Sequence, residues 1–192
     1  MTIRMHILAV VVSLSVSSLS ATPASGHDSW LIADRHVVNE GDEVWLAFVT
    51  GEIFPLGDAS IDPERVAGFV RRNGELKSDI TGLSPEDHAL SVRGPLQESG
   101  IHVIGCRLKP RLIELEADLF DRYLRDERSE SAIARRDRIR QTGAGQRPVV
   151  ERYTKYAKTV IEVHPVDPED PGYAVPIGHR LEIIPLSNPC RW

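Results

Sequence analysis

The segment "SWLIADRHVVNEGDEVWLAFVTGEIFP", residues 29–55, decides the class of fold. It holds two runs rich in Val, Ile, Trp and Phe, separated by Asn39-Glu40-Gly41-Asp42, residue types that favour a turn. In the second run alternate side chains point to opposite faces, and both faces are apolar: Trp45, Ala47 and Val49 on one, Val44, Leu46 and Phe48 on the other. This pattern is typical of a strand inside a β-sandwich. We therefore predict a hairpin here and a mainly β protein.

More strands follow in the first half of the chain. Val66–Val70 precedes Asn73-Gly74, the strongest short hairpin signal in the sequence. "HALSVRGPL" (88–96) and "SGIHVIGCRL" (99–108) are two further candidate strands, with Gly and Ser between them. The first half is therefore expected to contain strands and turns without helices.

The hydrophobic period changes after Pro110. Leu115, Leu119, Phe120, Tyr123 and Leu124 recur at helical spacing. We predict two amphipathic helices, about 115–127 and 131–141, ended by Gly143 and Gly145. The charged side chains are interpreted as a solvated face with i,i+4 pairs, such as Asp121 with Arg125.

The last third combines two short strands with an irregular loop. Thr159–Val163 and "HRLEIIPL" (179–186) are predicted strands, and the proline-rich segment 164–176 between them is a loop. The predicted fold is one β-sandwich domain, residues 27–192, of the immunoglobulin or transthyretin kind. An α-helical hairpin is inserted into it at about 111–143.

The first 26 residues have the pattern of a secretory signal peptide. A basic start precedes an apolar run, Ile7–Val16, that is too short to cross a bilayer. Ala24-Ser25-Gly26 then presents small residues where the signal peptidase cuts. No second long apolar run follows, so we expect no membrane span after cleavage and a periplasmic or secreted location.

Composition and motifs narrow the function classes. A net charge of -5 at pH 7 does not favour nucleic acid as a partner. The sequence has no P-loop, nucleophile elbow, dinucleotide-binding glycine pattern or HExxH. We therefore predict that the protein is not an enzyme.

Cleavage after Gly26 would make a histidine the first residue of the mature chain. The α-amine and the imidazole Nδ1 of His27 could then bind one metal ion as a chelate, and Asp28 could add an oxygen. Such nitrogen donors suit Ni²⁺, Co²⁺, Cu²⁺ or Zn²⁺. The alternative is that His27 is an ordinary polar chain end.

Three other histidines are candidate metal ligands. His36 and His179 stand where loops meet strands, so either could approach His27, although both could equally be surface residues. His102 shares a strand face with Ile104 and Cys106, which favours a buried histidine bonded to a backbone carbonyl over a ligand.

Cys106 and Cys190 could form a disulfide in an oxidising compartment. Their positions in the sequence alone do not show whether the two residues come within bonding range.

Several stretches together resemble one known family, the NikM-like exported proteins labelled domain of unknown function 4198. They are "HDSWL" (27–31), "GEIFP" (51–55), "GIHVIGCRLKPRLIELEADLFDRYLRDE" (100–127), "ERYTKYAKTVIEV" (151–163) and "PIGHRLEIIPLSNP" (176–189). The resemblance implies an exported, β-rich protein associated with nickel or cobalt uptake.

The resemblance also implies roles for single residues. His27 matches the histidine that begins the family's mature chains. Tyr153, Tyr156 and Lys158 match an element expected to serve packing and hydrogen bonding. Family members usually continue into another β-domain, whereas this sequence ends at Cys190-Arg191-Trp192.

Three functional hypotheses follow. The first is an accessory protein that binds nickel or cobalt through His27 and passes it to a membrane metal transporter. The second is a non-catalytic module whose helical hairpin, residues 115–141, docks on another exported protein. The third is a copper carrier in which His27 and one of His36, His102 or His179 form an N-terminal histidine brace.

Overall fold

The computed structural model describes residues 27–58 and 60–191, so the predicted signal peptide, residues 1–26, lies outside the described part of the chain. Its strands are β1 (Asp28–Ala33), β2 (Val37–Asn39), β3 (Glu43–Gly51), β4 (Val66–Asn73), β5 (Leu76–Asp79), β6 (Ser84–Glu86), β7 (Ala89–Pro95), β8 (Gly100–Leu108), β9 (Arg111–Leu115), β10 (Val149–Tyr153) and β11 (Tyr156–His164). Its α-helices are α1 (Ala117–Asp126) and α2 (Glu130–Gln141). The mainly β class with a pair of helices is confirmed.

The strands form two larger sheets and a two-stranded ribbon. The four-stranded sheet has the order β1-β3-β7-β6, and the five-stranded sheet has the order β2-β11-β8-β4-β5. The ribbon pairs β9 with β10. Within these sheets β2 and β11 are parallel, and the other pairs are antiparallel.

Both larger sheets contribute to one hydrophobic core. In the four-stranded sheet Phe48 is opposite Leu31 on one side and Leu90 on the other. In the five-stranded sheet Cys106 is opposite both Ala157 and Phe69. All of these residues belong to a single buried cluster. Burying a side chain the size of Phe48 contributes about 1.5–3 kcal/mol, so this shared core is the main force that holds the sheets together.

The hairpin predicted around Asn39-Asp42 is only partly correct. The turn exists, since Asp42 N donates to Asn39 O at 3.0 Å. However, the first apolar run divides into two strands: β1 pairs with β3, and β2 pairs with β11 in the other sheet. The turn therefore joins strands of different sheets. Dividing the run allows Leu31 of β1 and Val38 of β2 both to reach the core.

The other strand predictions in the first half are confirmed. The predicted turn follows Asn73: Gly74 and Glu75 connect β4 to β5, and Gly74 has a φ of +55°, which favours glycine. β7 and β8 occupy the predicted segments, although they lie in different sheets.

The helical insertion is longer than predicted. Both helices lie within two residues of their expected bounds, but the β9–β10 ribbon carries them, so the inserted unit spans 111–153. The strand predicted at 159–163 begins earlier, at Tyr156.

Asp121 does not lie on a solvated helix face. It is 4% exposed and accepts a hydrogen bond from Arg136 Nε at 2.7 Å and another from Arg140. The predicted pairing with Arg125 is therefore wrong, because α2 packs over this side of α1.

The predicted last strand, residues 179–186, is not a strand. Residues 165–191, which we call the C-terminal strap, cross the outer face of the five-stranded sheet in irregular conformation apart from a short 3-10 helix at Gly172–Ala174. Its prolines, such as Pro176 and Pro185, have no N–H to donate to a ladder. The strap packs on this face at Ile101 and Gly105, which alternate along β8 with the core-facing Ile104 and Cys106.

Neither α-helix in the described ranges combines the length and hydropathy that crossing a membrane requires.

Candidate functional site

A groove of about 740 Å³ lies where β1 of one sheet approaches β11 of the other, and the C-terminal strap forms its third wall. Strand pairing and the path of the C-terminal strap bring distant parts of the chain together here. Among the residues singled out from the sequence, the groove is lined by His27, Asp28, His36, Tyr156, Lys158, His179 and Cys190.

The imidazole of His27 is oriented by a carboxylate. Its Nε2 lies 3.1 Å from Asp58 Oδ1. Asp58 is itself held, because Glu52 N donates to Asp58 Oδ2 at 3.1 Å. A carboxylate accepts hydrogen bonds, so in the neutral ring Nε2 carries the proton and Nδ1 keeps a free lone pair.

Two residues next to His27 were not identified from the sequence. Asp58 lies in the loop after β3, where nothing in the local pattern marks it. Lys155 donates from Nζ to the carbonyl oxygen of His27 at 2.7 Å. Burial lowers the pKa of Lys155, and the carboxylates of Asp28 and Asp58 partly oppose this shift.

His36 is oriented through its other nitrogen. Its Nδ1 lies 2.9 Å from the carbonyl oxygen of Val160. A carbonyl only accepts, so Nδ1 carries the proton and Nε2 has the free lone pair. The backbone is fixed as well, because Glu162 N donates to His36 O at 2.8 Å.

His179 reaches the groove from the strap. Its ring packs against Tyr156, with ring centroids 5.1 Å apart, and lies directly over Gly105. A Cβ on residue 105 would be 2.8 Å from His179 Cε1, so glycine is needed for this approach. Burial lowers the pKa of His179 and favours the neutral imidazole, the form that binds metals.

Two carboxylates, Glu182 on the strap and the buried Glu162 on β11, hold the strap in place. Glu182 accepts from Lys158 Nζ at 3.2 Å and from Ile177 N at 2.6 Å. Although burial favours its neutral acid, these hydrogen bonds keep the pKa of Glu182 below its ordinary value. On β11, Glu162 accepts from Arg191 Nε at 2.8 Å. Lys158 therefore takes part in attaching the strap as well as lining the groove.

His102 lies inside the protein and does not line the groove. It is 0% exposed, and its Nε2 donates to the carbonyl oxygen of Glu98 at 2.6 Å. Burial lowers its pKa. The structure therefore separates His102 from the other candidate ligands.

The two cysteines are free, so the disulfide left open by the sequence is absent. Cys106 faces the core, where burial raises the pKa of its thiol to about 12. Cys190 lies on the strap, with Sγ 3.6 Å from the carbonyl oxygen of Val160. The two thiols are on opposite faces of the five-stranded sheet. Tyr153 is half-buried on β10 and lies outside the groove lining.

Within residues 27–58 and 60–191, no three His, Cys, Asp or Glu side chains lie close enough to hold one metal ion together. A chelate at His27 is a different arrangement, since one residue would supply two of the donors.

The family model described as a domain of unknown function, DUF4198, matches residues 24–191 of this chain. The protein belongs to the DUF4198 family. No curated protein and no solved structure matched the chain. The family description states no activity and no metal, so the link to nickel implied by the NikM-like resemblance stays a prediction.

A second cavity of this DUF4198 protein lies on the inserted unit. It measures about 520 Å³ and lies between α1 and β10, with Phe120, Tyr123 and Val150 among its lining residues. On the ribbon beside it, Leu112 is 63% exposed and Val150 is 58% exposed. This apolar surface is separate from the histidine groove.

Proposed function

We propose that this DUF4198 protein is an exported, non-catalytic accessory protein that binds a divalent transition metal, nickel or cobalt, in the histidine groove. His27 is the anchoring residue, and a membrane metal transporter receives the metal. The proposal includes a periplasmic or secreted location and a β-sandwich of the immunoglobulin or transthyretin kind.

The contact between His27 and Asp58 carries this proposal. Histidines that bind metals usually donate their other ring N–H to a carboxylate or carbonyl, which fixes the tautomer and the ring orientation. Asp58 acts in this way on Nε2 of His27 and leaves Nδ1 available. In a chain that begins at His27, the α-amine completes a chelate with Nδ1. Both nitrogens bind a metal in their deprotonated, neutral forms.

Other groove residues could complete the coordination. Asp28 adjoins His27 and offers carboxylate oxygens, while His36, the residue before β2, has Nε2 free and lines the same groove. If His36 or His179 supplied a second imidazole, the site would suit Cu²⁺, as in the copper-carrier hypothesis. The affinities of the same protein for Ni²⁺, Co²⁺ and Cu²⁺ distinguish a nickel or cobalt site from a copper site.

The test uses protein processed to begin at His27, with its N-terminus verified by mass, titrated with Ni²⁺, Co²⁺ and Cu²⁺ by calorimetry. A matched protein has one alanine added before His27, which moves the amine and removes the chelate. We expect one-to-one binding that weakens at least tenfold in the extended form, a change of about 1.4 kcal/mol.

A second pair of variants tests the orienting carboxylate. Asp58→Asn should weaken binding about 10-fold or more, because it removes the charge that orients and polarises His27. His88→Ala, which removes an exposed histidine outside the groove, should leave affinity unchanged. Equal affinity in the processed and alanine-extended proteins would refute His27 as the anchor.

The exposed apolar surface on the inserted unit favours a second candidate, a module that docks on another exported protein. Replacing residues 117–141 with a short Gly/Ser linker would then abolish binding to that protein in a pull-down from periplasmic extract. Metal affinity would stay unchanged. If the linker protein loses metal affinity and keeps its partners, this second candidate is wrong.

A further inference from the structure

The groove is much larger than a bare metal ion requires. Its volume of about 740 Å³ falls within the range of about 300–1,000 Å³ that is typical of sites for small organic molecules. Such sites combine mostly apolar walls with a few polar groups that fix the orientation of the ligand.

The walls beside His27 have this character. Trp30 and Phe54 pack edge to face, with ring centroids 5.6 Å apart, and both line the groove. Tyr156 faces it from β11, and Leu181 and Ile183 form the strap side, where both are strongly exposed. These side chains offer flat and aliphatic surfaces that bind carbon skeletons and contribute nothing to the coordination of an ion.

One cation stands directly beside the proposed anchor. Lys155 lines the groove, and its Nζ bonds to the backbone oxygen of His27. An ammonium has three N–H groups, and this contact uses one of them. A carboxylate attached to a metal at His27 would therefore lie within reach of Lys155 and form a charge-assisted hydrogen bond.

Building on the proposed function, we propose that the groove takes the metal as a complex with a small organic carboxylate chelator. His27 fills open coordination positions of the metal, Lys155 binds a carboxylate of the chelator, and the aromatic and aliphatic walls contact its carbon skeleton.

The test compares Ni²⁺ alone with Ni²⁺ precharged with radiolabelled citrate or L-histidine, using protein processed to begin at His27. Calorimetry gives the affinities, and equilibrium dialysis counts metal and chelator on the protein. We expect at least one chelator to be retained at one per nickel, with affinity at least tenfold higher than for Ni²⁺ alone. A protein that binds only the bare ion would retain neither radiolabelled chelator, and adding free chelator would weaken its binding of nickel.

A matched lysine pair tests the role of the cation. Lys155→Gln should reduce binding of the retained complex at least fivefold, with a smaller effect on Ni²⁺ alone. Lys109→Gln removes the same charge from an exposed site outside the groove and should change neither.

The outcomes separate this inference from the function it rests on. Binding of bare Ni²⁺ that depends on the free His27 amine, with release of both chelators, overturns the inference and leaves the proposed function standing. Failure of Ni²⁺ to bind in any form overturns both. Retention of a chelator that is insensitive to Lys155→Gln contradicts the placement of its carboxylate.

Discussion

A histidine can bind a metal only through a nitrogen that keeps its lone pair, and the groove determines this nitrogen differently at two positions. Asp58 engages Nε2 of His27, whereas the Val160 carbonyl engages Nδ1 of His36. Opposite nitrogens are therefore free in two residues that look identical in the sequence. A third histidine, His102, is held inside the protein by its hydrogen bond to the Glu98 carbonyl and has no access to the groove.

The buried His102 predicts a pH dependence of stability. Burial, the larger effect, lowers its pKa, and the hydrogen bond to Glu98 acts the other way. Below the ordinary histidine pKa of about 6.5, residue 102 is therefore protonated in the unfolded chain, whereas in the native protein it takes up a proton only at lower pH. The contribution of the neutral His102 to the free energy of unfolding is fully present above pH 6.5. It is lost as the pH falls toward the pKa of His102 in the folded protein, by at most about 1.4 kcal/mol per pH unit.

Urea unfolding between pH 5 and 8 measures this effect. His102→Gln removes this titrating group and should reduce the wild-type slope below pH 6.5, leaving the contribution of His179, whose pKa burial also lowers. His88→Gln, at an exposed loop position, should retain it. A slope that is equal in wild type and His102→Gln would show that other groups cause the pH dependence.

At the scale of elements, the helical hairpin depends on one buried carboxylate. Asp121 of α1 binds Arg136 and Arg140 of α2, and Arg136 also donates to the carbonyl oxygen of Gly145 at 2.8 Å. The mean hydropathy of α2 is low, and its exposed side chains offer little apolar packing. The ion pairs therefore set how the two helices lie against each other.

Replacing Asp121 with Ala should destabilise the hairpin by about 3–5 kcal/mol, because Arg136 would stay buried without a compensating charge. We expect faster hydrogen exchange across residues 117–146, with protection of β8 and β11 retained. Asp118→Ala, at an exposed position in the first turn of α1, should cost less than about 1 kcal/mol. Unchanged exchange in Asp121→Ala would contradict the role of this carboxylate.

At the scale of the whole molecule, the C-terminal strap covers one sheet and completes the groove. His179 can pack on β8 only because residue 105 has no side chain. Gly105→Ala should therefore displace the ring and the strap, at a cost of about 1–3 kcal/mol typical of overpacking. A lower Tm and faster proteolysis within residues 165–191 should both follow.

Gly94→Ala is the matched control for this substitution. Gly94 also lies in a strand, but an added Cβ there meets no atom within 4 Å among the described residues. Its Tm and cleavage rate should stay close to wild type. If Gly105→Ala behaved in the same way, the strap would be held by its carboxylate contacts alone.

Local sequence determined much of the fold. The turn at Asn73-Gly74, the two-sided strand β3 and the two helices follow from side-chain types and spacing within a few residues, because turn conformation and amphipathic period are local properties. The histidine that follows the predicted cleavage site was also evident from the sequence, together with its donor chemistry.

Only the tertiary structure decided what lies beside that histidine. Asp58, in the loop after β3, and Lys155, the residue before β11, contact His27, and His179 reaches the same groove from the strap. Long-range packing brings these segments together. The division of the first apolar run between two sheets and the separation of the two cysteines have the same origin. Pairing between distant strands depends on which faces can share a core, and no short stretch of sequence contains that information.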